Sequence, residues 1–229
     1  MMQRQAWILS GLLLLAGAGA AAQADEGDDS IYAPGTSAAI ELGGYHTDFA
    51  YADGKHAVDI NRYAVTLGEP INEDATFGLQ GGYFTLGVDN ATLMPLAESG
   101  GRFLGLFGDY NTRQGDYLNF EARVSYTWYG DGFRGPNQQA DVTWYETLVS
   151  AGPVFRWQRW QVSAGGFYQR FDGTETDSGS LNQKLDFSAA RAGGAYFGFA
   201  YFLDRTGSVG IYATGGARHG INLVFKREF

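Results

Sequence analysis

Residues 117–129 read Tyr-Leu-Asn-Phe-Glu-Ala-Arg-Val-Ser-Tyr-Thr-Trp-Tyr, and no other segment is more informative about the fold. Side chains alternate between the two sides of a β-strand, so every second residue shares a face. From Leu118 to Trp128 one face is apolar throughout, whereas from Asn119 to Thr127 the other is polar throughout. The segment therefore predicts a strand with an apolar surface on one side and a polar surface on the other.

The same alternation recurs in residues 75–87 and again in residues 219–229. Alternating segments of about ten residues, separated in turn by short and long connections, are typical of transmembrane β-barrels. We therefore predict an all-β fold, an antiparallel up-and-down transmembrane β-barrel of ten strands. Eight strands is the alternative, because the run 184–203 is overlong and the run 209–216 is short. The ten predicted runs are 37–47, 57–67, 75–87, 101–111, 117–129, 141–155, 160–171, 184–203, 209–216 and 219–229.

The connections between these runs fall into two classes that alternate along the chain. Short turns alternate with long polar loops, which we expect near residues 48–57, 88–100, 130–140 and 172–183. Barrels of this kind place short turns in the periplasm and long loops outside the cell. The alternation therefore predicts which end of the barrel faces outward.

The composition fits a surface that faces lipid. Aromatic residues make up 15% of the 229 residues and charged residues 18%, and there are 34 glycines. Soluble domains carry about 25% charged residues, so a soluble periplasmic β-barrel, the rival class, is disfavoured. The net charge of −9 argues against a nucleic-acid partner, whose phosphates would be repelled. The absence of cysteine excludes a lipoprotein anchor and disulfides.

The first residues predict export. Arg4 precedes an apolar run over residues 7–15, and Ala22-Gln23-Ala24 supplies small residues at a cleavage site. We therefore predict a signal peptide over residues 1–24, cleaved after Ala24, with a retained helical anchor as the alternative. An acidic periplasmic segment over residues 25–36 follows, and residues 37–229 form the barrel.

Aromatic residues are expected in two girdles at the membrane surfaces, where amphipathic rings are favoured. One set flanks the long loops and the other flanks the short turns. The predicted girdle residues are Trp128, Tyr129, Trp144, Tyr145, Trp157 and Trp160.

Charged residues on the polar faces are expected inside the barrel. A ten-strand barrel has a narrow lumen that side chains largely fill, and isolated buried charges are costly, so opposite charges should pair. This arrangement predicts a narrow, charge-paired lumen and a non-enzymatic barrel with a structural role in the envelope or a role in surface interaction. A small channel for ions or small, even hydrophobic, solutes is the alternative. The predicted lumen charge network is Glu41, Arg62, Glu121, Arg123, Glu146 and Lys226.

The chain ends in Gly-Ile-Asn-Leu-Val-Phe-Lys-Arg-Glu-Phe, residues 220–229. This ending resembles the C-terminal insertion signal of bacterial outer-membrane proteins, a final aromatic residue preceded by apolar residues at every second position. Arg227 departs from the pattern, because that position is usually apolar or aromatic. The resemblance implies recognition by the barrel-assembly machinery. The matching residues are Ile221, Leu223, Phe225 and Phe229.

Residues that could carry chemistry are sparse. His46 should lie near Asp48 and Asp59 if the first two strands pair, which gives half of a general-base arrangement. No serine stands in a recognisable nucleophile motif, and the acidic run 172–177 lacks the full calcium loop. We therefore predict no catalytic residue, metal or cofactor, although a rim enzyme acting on lipid stays a minor alternative. The expected partners are outer-membrane lipid and lipopolysaccharide, and a monomer is favoured.

Overall fold

The computed structural model describes residues 35–88, 99–112, 117–134, 138–179 and 182–229. Eleven β-strands form the regular structure in these ranges. No helix within them is long and apolar enough to cross a membrane. The strands are β1 (Ser37–Tyr51), β2 (Gly54–Pro70), β3 (Ala75–Val88), β4 (Ser99–Thr112), β5 (Leu118–Arg134), β6 (Gln138–Trp157), β7 (Trp160–Gly179), β8 (Gln183–Ala189), β9 (Gly193–Phe202), β10 (Gly207–Gly216) and β11 (His219–Glu228).

The strands close into a ring. Neighbours are antiparallel, and β11 pairs with β1 from Ser37 opposite Glu228 to His46 opposite His219. Closure removes the unpaired strand edges that an open sheet would leave. The predicted antiparallel up-and-down barrel is confirmed. We call the end that holds Phe229 the terminal end, and the end that holds the β1–β2 turn the distal end.

The number of strands differs between the two ends. β9 pairs with the first half of β7 and β8 with its second half, so both occupy one side of the same strand. β8 also pairs with β1, where Phe49 lies opposite Ala189 and Ala50 opposite Ser188. The ring therefore has ten strands at the terminal end (β1–β7 and β9–β11) and eight at the distal end (β1–β8). The run predicted over residues 184–203 is two strands, interrupted at residues 190–192.

Three of the four predicted long loops are largely strand. β1 and β2 continue to a tight turn at Ala52 and Asp53, β5 and β6 continue to residues 134 and 138, and β7 continues to residue 179. The outward residues of these segments are polar because the hairpins extend past the apolar band of the wall, not because the backbone is irregular. Of the remaining loop, residues 89–98 lie outside the described ranges.

The outer wall of the terminal half is an apolar band. On β2, for example, Leu67, Val65 and Tyr63 face outward and are exposed, and the outward residues Asn61 and Asp59 beyond them are polar. An apolar band bordered by aromatic rings suits a bilayer and its two interfaces. The exposed aromatic residues at its distal margin are Tyr63, Tyr83, Trp128, Tyr145 and Tyr168, and those at its terminal margin include Tyr110, Phe155, Trp157, Trp160 and Phe225.

Two of the six predicted girdle residues point the other way. Tyr129 is 0% exposed and Trp144 is 1% exposed, so both lie inside the barrel. Alternation explains the error, because Tyr129 shares a face with Thr127 and Trp144 shares a face with Glu146. Their rings stack with centroids 4.5 Å apart and an interplanar angle of 3°. They belong to an aromatic core that fills the distal half: Tyr45, Phe49, Val58, Ile60, Ala64, Phe84, Leu86, Phe103, Tyr129, Val142, Trp144, Phe171 and Phe187.

Candidate functional site

The turn between β10 and β11 carries an arginine into the barrel. Arg218 donates through Nη2 to Glu146 Oε1 on β6 and through Nε to Gln169 Oε1 on β7, the latter at 2.7 Å. Its guanidinium lies 4.2 Å from the ring centroid of Tyr45. All four side chains are buried, so this ion pair lies in a region of low dielectric. We call this cluster the Arg218 latch.

The backbone of the same turn is also anchored. Ala217 N–H donates to Gly193 O at 3.0 Å, and Ala217 O accepts from Thr47 Oγ1 at 2.9 Å. Gly216 has φ +104°, a conformation that side chains other than glycine rarely adopt. These contacts hold the turn against β1 and β9, at the level where the ring passes from ten strands to eight.

A second inward-facing arginine, Arg62, is partly buried on the terminal side of the aromatic core. Arg62 donates to Gln80 Oε1 at 3.2 Å, and Gln80 donates to Thr127 Oγ1 at 2.6 Å. The guanidinium of Arg62 lies 4.4 Å from the ring centroid of Phe103. Glu41 shares the inner face of β1 and is half-buried. Arg62 thus links the aromatic core to the polar zone beneath it.

The terminal half of the lumen is polar and partly open to solvent. Arg123 Nε lies 3.6 Å from Asp109 Oδ1, and its guanidinium lies 4.4 Å from the ring centroid of Phe107. Glu121 accepts from Tyr196 OH at 3.0 Å. Lys226 Nζ lies 2.8 Å from Glu228 Oε1. The interior therefore has two zones, an aromatic distal half and a charged terminal half.

The six predicted lumen residues do not form one network. All lie on inward-facing positions, but no ion pair in the described part of the chain joins two of them. Their partners are residues that the sequence analysis missed, above all Arg218 and Asp109. Arg218 lies in a turn, where alternation gives no direction. Asp109 lies on a strand whose inner face also carries Phe103 and Phe107, so both faces look apolar in the sequence.

The predicted His46–Asp59 pair lies on the outer wall. His46 Nδ1 is 2.9 Å from Asp59 Oδ1, so the predicted proximity of these two residues is confirmed. Within the described ranges no serine hydrogen-bonds to His46, and no three histidine or acidic residues converge on a point where a metal ion could bind. The geometry supplies half of a general-base arrangement, and no serine nucleophile joins it in the described part of the chain.

The last strand presents its apolar residues outward. Ile221, Phe225 and Phe229 are exposed on the outer wall, and Leu223 is partly buried between its neighbours. Arg227, the departure from the terminal pattern, lies 3.9 Å from Asp204 in the β9–β10 turn. The charge at this position therefore has a partner at the terminal end.

Comparison with known proteins gives likeness in structure only. No family model and no curated protein matches the chain. The chain is similar to the translocator domain of the autotransporter NalP from Neisseria meningitidis, with 13% identity, TM-score 0.51, and coverage of 97% of this chain and 96% of that one. It also matches the outer membrane protease OmpT from Escherichia coli, with 8% identity, TM-score 0.48, and coverage of 85% and 97%. A third match is the attachment invasion locus protein Ail of Yersinia pestis, with 12% identity, TM-score 0.36, and coverage of 85% and 98%.

These likenesses concern the fold. The likeness to the NalP domain, together with the closed ring and the outward apolar band, shows that the chain has the fold of a bacterial outer-membrane β-barrel. They do not assign an activity.

Proposed function

We propose that this protein is a closed, non-enzymatic outer-membrane barrel that acts in the envelope or through its distal surface. It is exported, its signal peptide is removed after Ala24, and the barrel-assembly machinery reads its last strand. The distal hairpins then stand outside the cell, and the terminal end faces the periplasm. The wall contacts outer-membrane lipid and lipopolysaccharide.

The observation that carries the proposal is the aromatic seal across the distal half. Trp144 packs between Tyr129 and Phe84, with ring centroids 4.5 Å and 5.1 Å away, and Phe49 stacks on Phe187 at 4.7 Å. Rings packed edge to face and in parallel exclude water from the space that they fill. A distal half filled in this way supports a role in integrity or recognition better than a role in conduction.

Single-channel recording of the purified protein in a planar bilayer tests the closed lumen. We expect no stepwise conductance from the wild type. Steps from the wild type would overturn the proposal. Glu121→Ala and Arg123→Ala would then show whether the path runs through the lumen, because removing a charge beside the path should change ion selectivity.

Orientation is tested separately by surface labelling, since the chain has no native cysteine. Asp53 lies in the distal β1–β2 turn, and Glu73 lies in the β2–β3 turn at the terminal end. Asp53→Cys and Glu73→Cys therefore place one thiol at each end of the barrel. A membrane-impermeant maleimide should label the first variant on intact cells and the second only after permeabilisation. The reverse pattern would mean that the terminal end faces outward.

A small channel is the second candidate. The observation in its favour is the solvent access of the terminal half, where the side chains of Arg123, Asp109 and Lys226 are 34%, 38% and 46% exposed. This solvent-accessible terminal half would conduct ions only if the aromatic rings of the distal half moved apart. The recordings described above therefore decide between the two candidates.

A rim enzyme acting on lipid is supported only by the His46–Asp59 pair. Comparison of outer-membrane lipid profiles between the wild type and His46→Ala tests it. We expect identical profiles, because a histidine paired with a carboxylate needs a nucleophile or an activated water to hydrolyse lipid.

A further inference from the structure

A groove crosses the outer wall of the distal half, where four strands carry two rows of small and polar residues. Register places Tyr145, Asp172, Ser188 and Ala50 side by side across β6, β7, β8 and β1. The next row toward the distal end is Thr143, Thr174 and Asp186, followed by Ala52 past the end of β1. The groove has a volume of about 430 Å³.

The position of the groove follows from the change in strand number. Because β8 pairs with β1 above the β10–β11 turn, the wall curves more tightly there than in the ten-strand half. The first row begins at Tyr145, on the distal margin of the apolar band. The groove therefore opens at the surface of the bilayer, within reach of molecules in the outer leaflet and in solution.

The lining has the chemistry of a sugar site. Tyr145 is 51% exposed, and its ring is stacked near that of Tyr126, with the two centroids 5.9 Å apart. Apolar C–H faces of sugar rings pack on aromatic rings, and sugar hydroxyls donate to carboxylates in charge-assisted hydrogen bonds. The side chains of Asp172 and Asp186 supply the carboxylates, and Thr143, Thr174 and Ser188 supply hydroxyls that both donate and accept.

The charge of the lining narrows the class of ligand. Among the residues that the structure describes, none that line the groove is basic, so the carboxylates of the lining disfavour phosphorylated, sulfated or carboxylated sugars. Arg170 Nε lies at the rim and donates to Asp172 Oδ2 at 3.1 Å, which orients that carboxylate and leaves Oδ1 available. The volume lies within the range of about 300–1,000 Å³ that small-molecule sites occupy.

We propose that this groove binds a neutral oligosaccharide, with one sugar ring on Tyr145 and its hydroxyls on Asp172 and Asp186. The source is either the sugar portion of an outer-leaflet glycolipid or a free glycan, since both present the same chemistry. The inference rests on the distal end facing outward, as proposed above, and is independent of whether the lumen conducts.

Saturation-transfer difference NMR on the full barrel in detergent tests the groove. The probes are neutral oligomers of glucose, galactose and N-acetylglucosamine, with a sulfated oligomer as the charge control. We expect transfer to at least one neutral oligomer, none to the sulfated one, and a loss of affinity of about tenfold or more in Asp186→Asn, because one charge-assisted bond contributes about 1.5–3 kcal/mol. Tyr145→Ala should abolish transfer to the stacked ring.

Two matched variants control for the wall. Tyr168→Ala removes an exposed ring of the same girdle, and Asp141→Asn removes an outward carboxylate near the groove; neither residue lines it. Both should bind like the wild type, and all variants should keep the gel shift on boiling that marks a folded barrel. The proposal would be overturned if no neutral oligomer bound. It would also be overturned if Tyr145→Ala and Asp186→Asn bound as tightly as the wild type. Repeating the assay in bicelles with and without native glycolipid identifies the source, because resident glycolipid would compete with the free oligomer.

Discussion

Arg218, in the turn between β10 and β11, is ion-paired with Glu146 on β6 across the interior of the barrel. The two side chains are 9% and 4% exposed. Taking both charges out of water is costly, and their mutual attraction with the added hydrogen bond to Gln169 offsets that cost. The latch therefore ties the short three-strand segment β9–β11 to the neighbouring strands β7 and β6, at the level where the ring narrows.

Removing one partner of the latch should be strongly destabilising. Arg218→Met leaves Glu146 as an unpaired buried carboxylate, for which a loss of about 3–5 kcal/mol is typical. The double variant Arg218→Met with Glu146→Leu should recover much of that loss, since no buried charge is left. Urea unfolding in detergent, followed by tryptophan fluorescence, measures all four members of the cycle.

The exposed pair Lys226–Glu228 is the matched control for the latch. Its side chains are 46% and 33% exposed, so Lys226→Met should cost less than about 1 kcal/mol. Equal losses of stability in Arg218→Met and Lys226→Met would mean that the Arg218 side chain is solvated and that the latch is not a buried pair.

The β10–β11 turn should tolerate alanine at one glycine and not at its neighbour. Gly216 has φ +104°, and a Cβ there would lie 2.6 Å from Gly194 Cα and 2.8 Å from Gly193 O. Backbone strain of this kind costs about 1–3 kcal/mol, so Gly216→Ala should lower stability by at least that much. A Cβ at Gly215 meets nothing within 4 Å, so Gly215→Ala should be close to neutral. Unfolding midpoints of the two variants test the turn, and a neutral Gly216→Ala would contradict the geometry.

The aromatic seal should contribute far more to stability than the girdle. Trp144→Ala removes a ring buried among Tyr129, Phe84 and Phe49, and such truncations cost about 3–5 kcal/mol. Trp128 is next to Tyr129 in the sequence but exposed on the outer wall, so Trp128→Ala is the matched control and should lose less. The temperature at which the folded band disappears from unboiled gels ranks the two variants. A larger loss of stability in Trp128→Ala than in Trp144→Ala would mean that the buried rings contribute less to stability than the exposed girdle does.

Alternation predicted the fold because one face of each strand must meet lipid. Residues 118–128 alternate without exception, and their β5 faces are as predicted from Leu118 to Thr127. The same rule fails as a guide to the distal half. There both faces meet something other than lipid, so apolar residues turn inward and polar ones outward, as in a soluble protein.

The site was harder to predict for the same reason. By their place in the sequence, Tyr129 and Trp144 resemble girdle residues. Counting alternate positions past the apolar band instead puts both on the inner face, which is aromatic there. Arg218 could not be found by any periodic rule, because turn residues have no fixed face. Which strand pairs with the second half of β7 also depends on contacts far apart in sequence, and so does the latch.

Glu175, inside the distal end and beyond the apolar band, should make stability depend on pH. Burial raises the pKa of the Glu175 carboxyl above its usual value, and the hydrogen bond from Tyr51 OH at 2.9 Å opposes that rise in part. The folded protein thus holds the proton more tightly than the unfolded chain. This group therefore destabilises the fold at neutral pH, and the penalty fades as the pH falls through the raised folded pKa toward the usual value of about 4.3.

Glu175→Gln removes this dependence while still accepting the hydrogen bond from Tyr51. The variant should be more stable than the wild type at pH 7, and the difference should shrink as the pH falls toward about 4, because the wild-type carboxyl is then neutral in both states. Asp204 is the control of opposite sign, since backbone N–H groups of its turn lower the pKa of its carboxyl. Asp204→Asn should therefore lose stability at pH 7 and approach the wild type only in acid. Urea unfolding from pH 4 to pH 8 measures both, and a pH-independent difference for Glu175→Gln would mean that Glu175 is solvated.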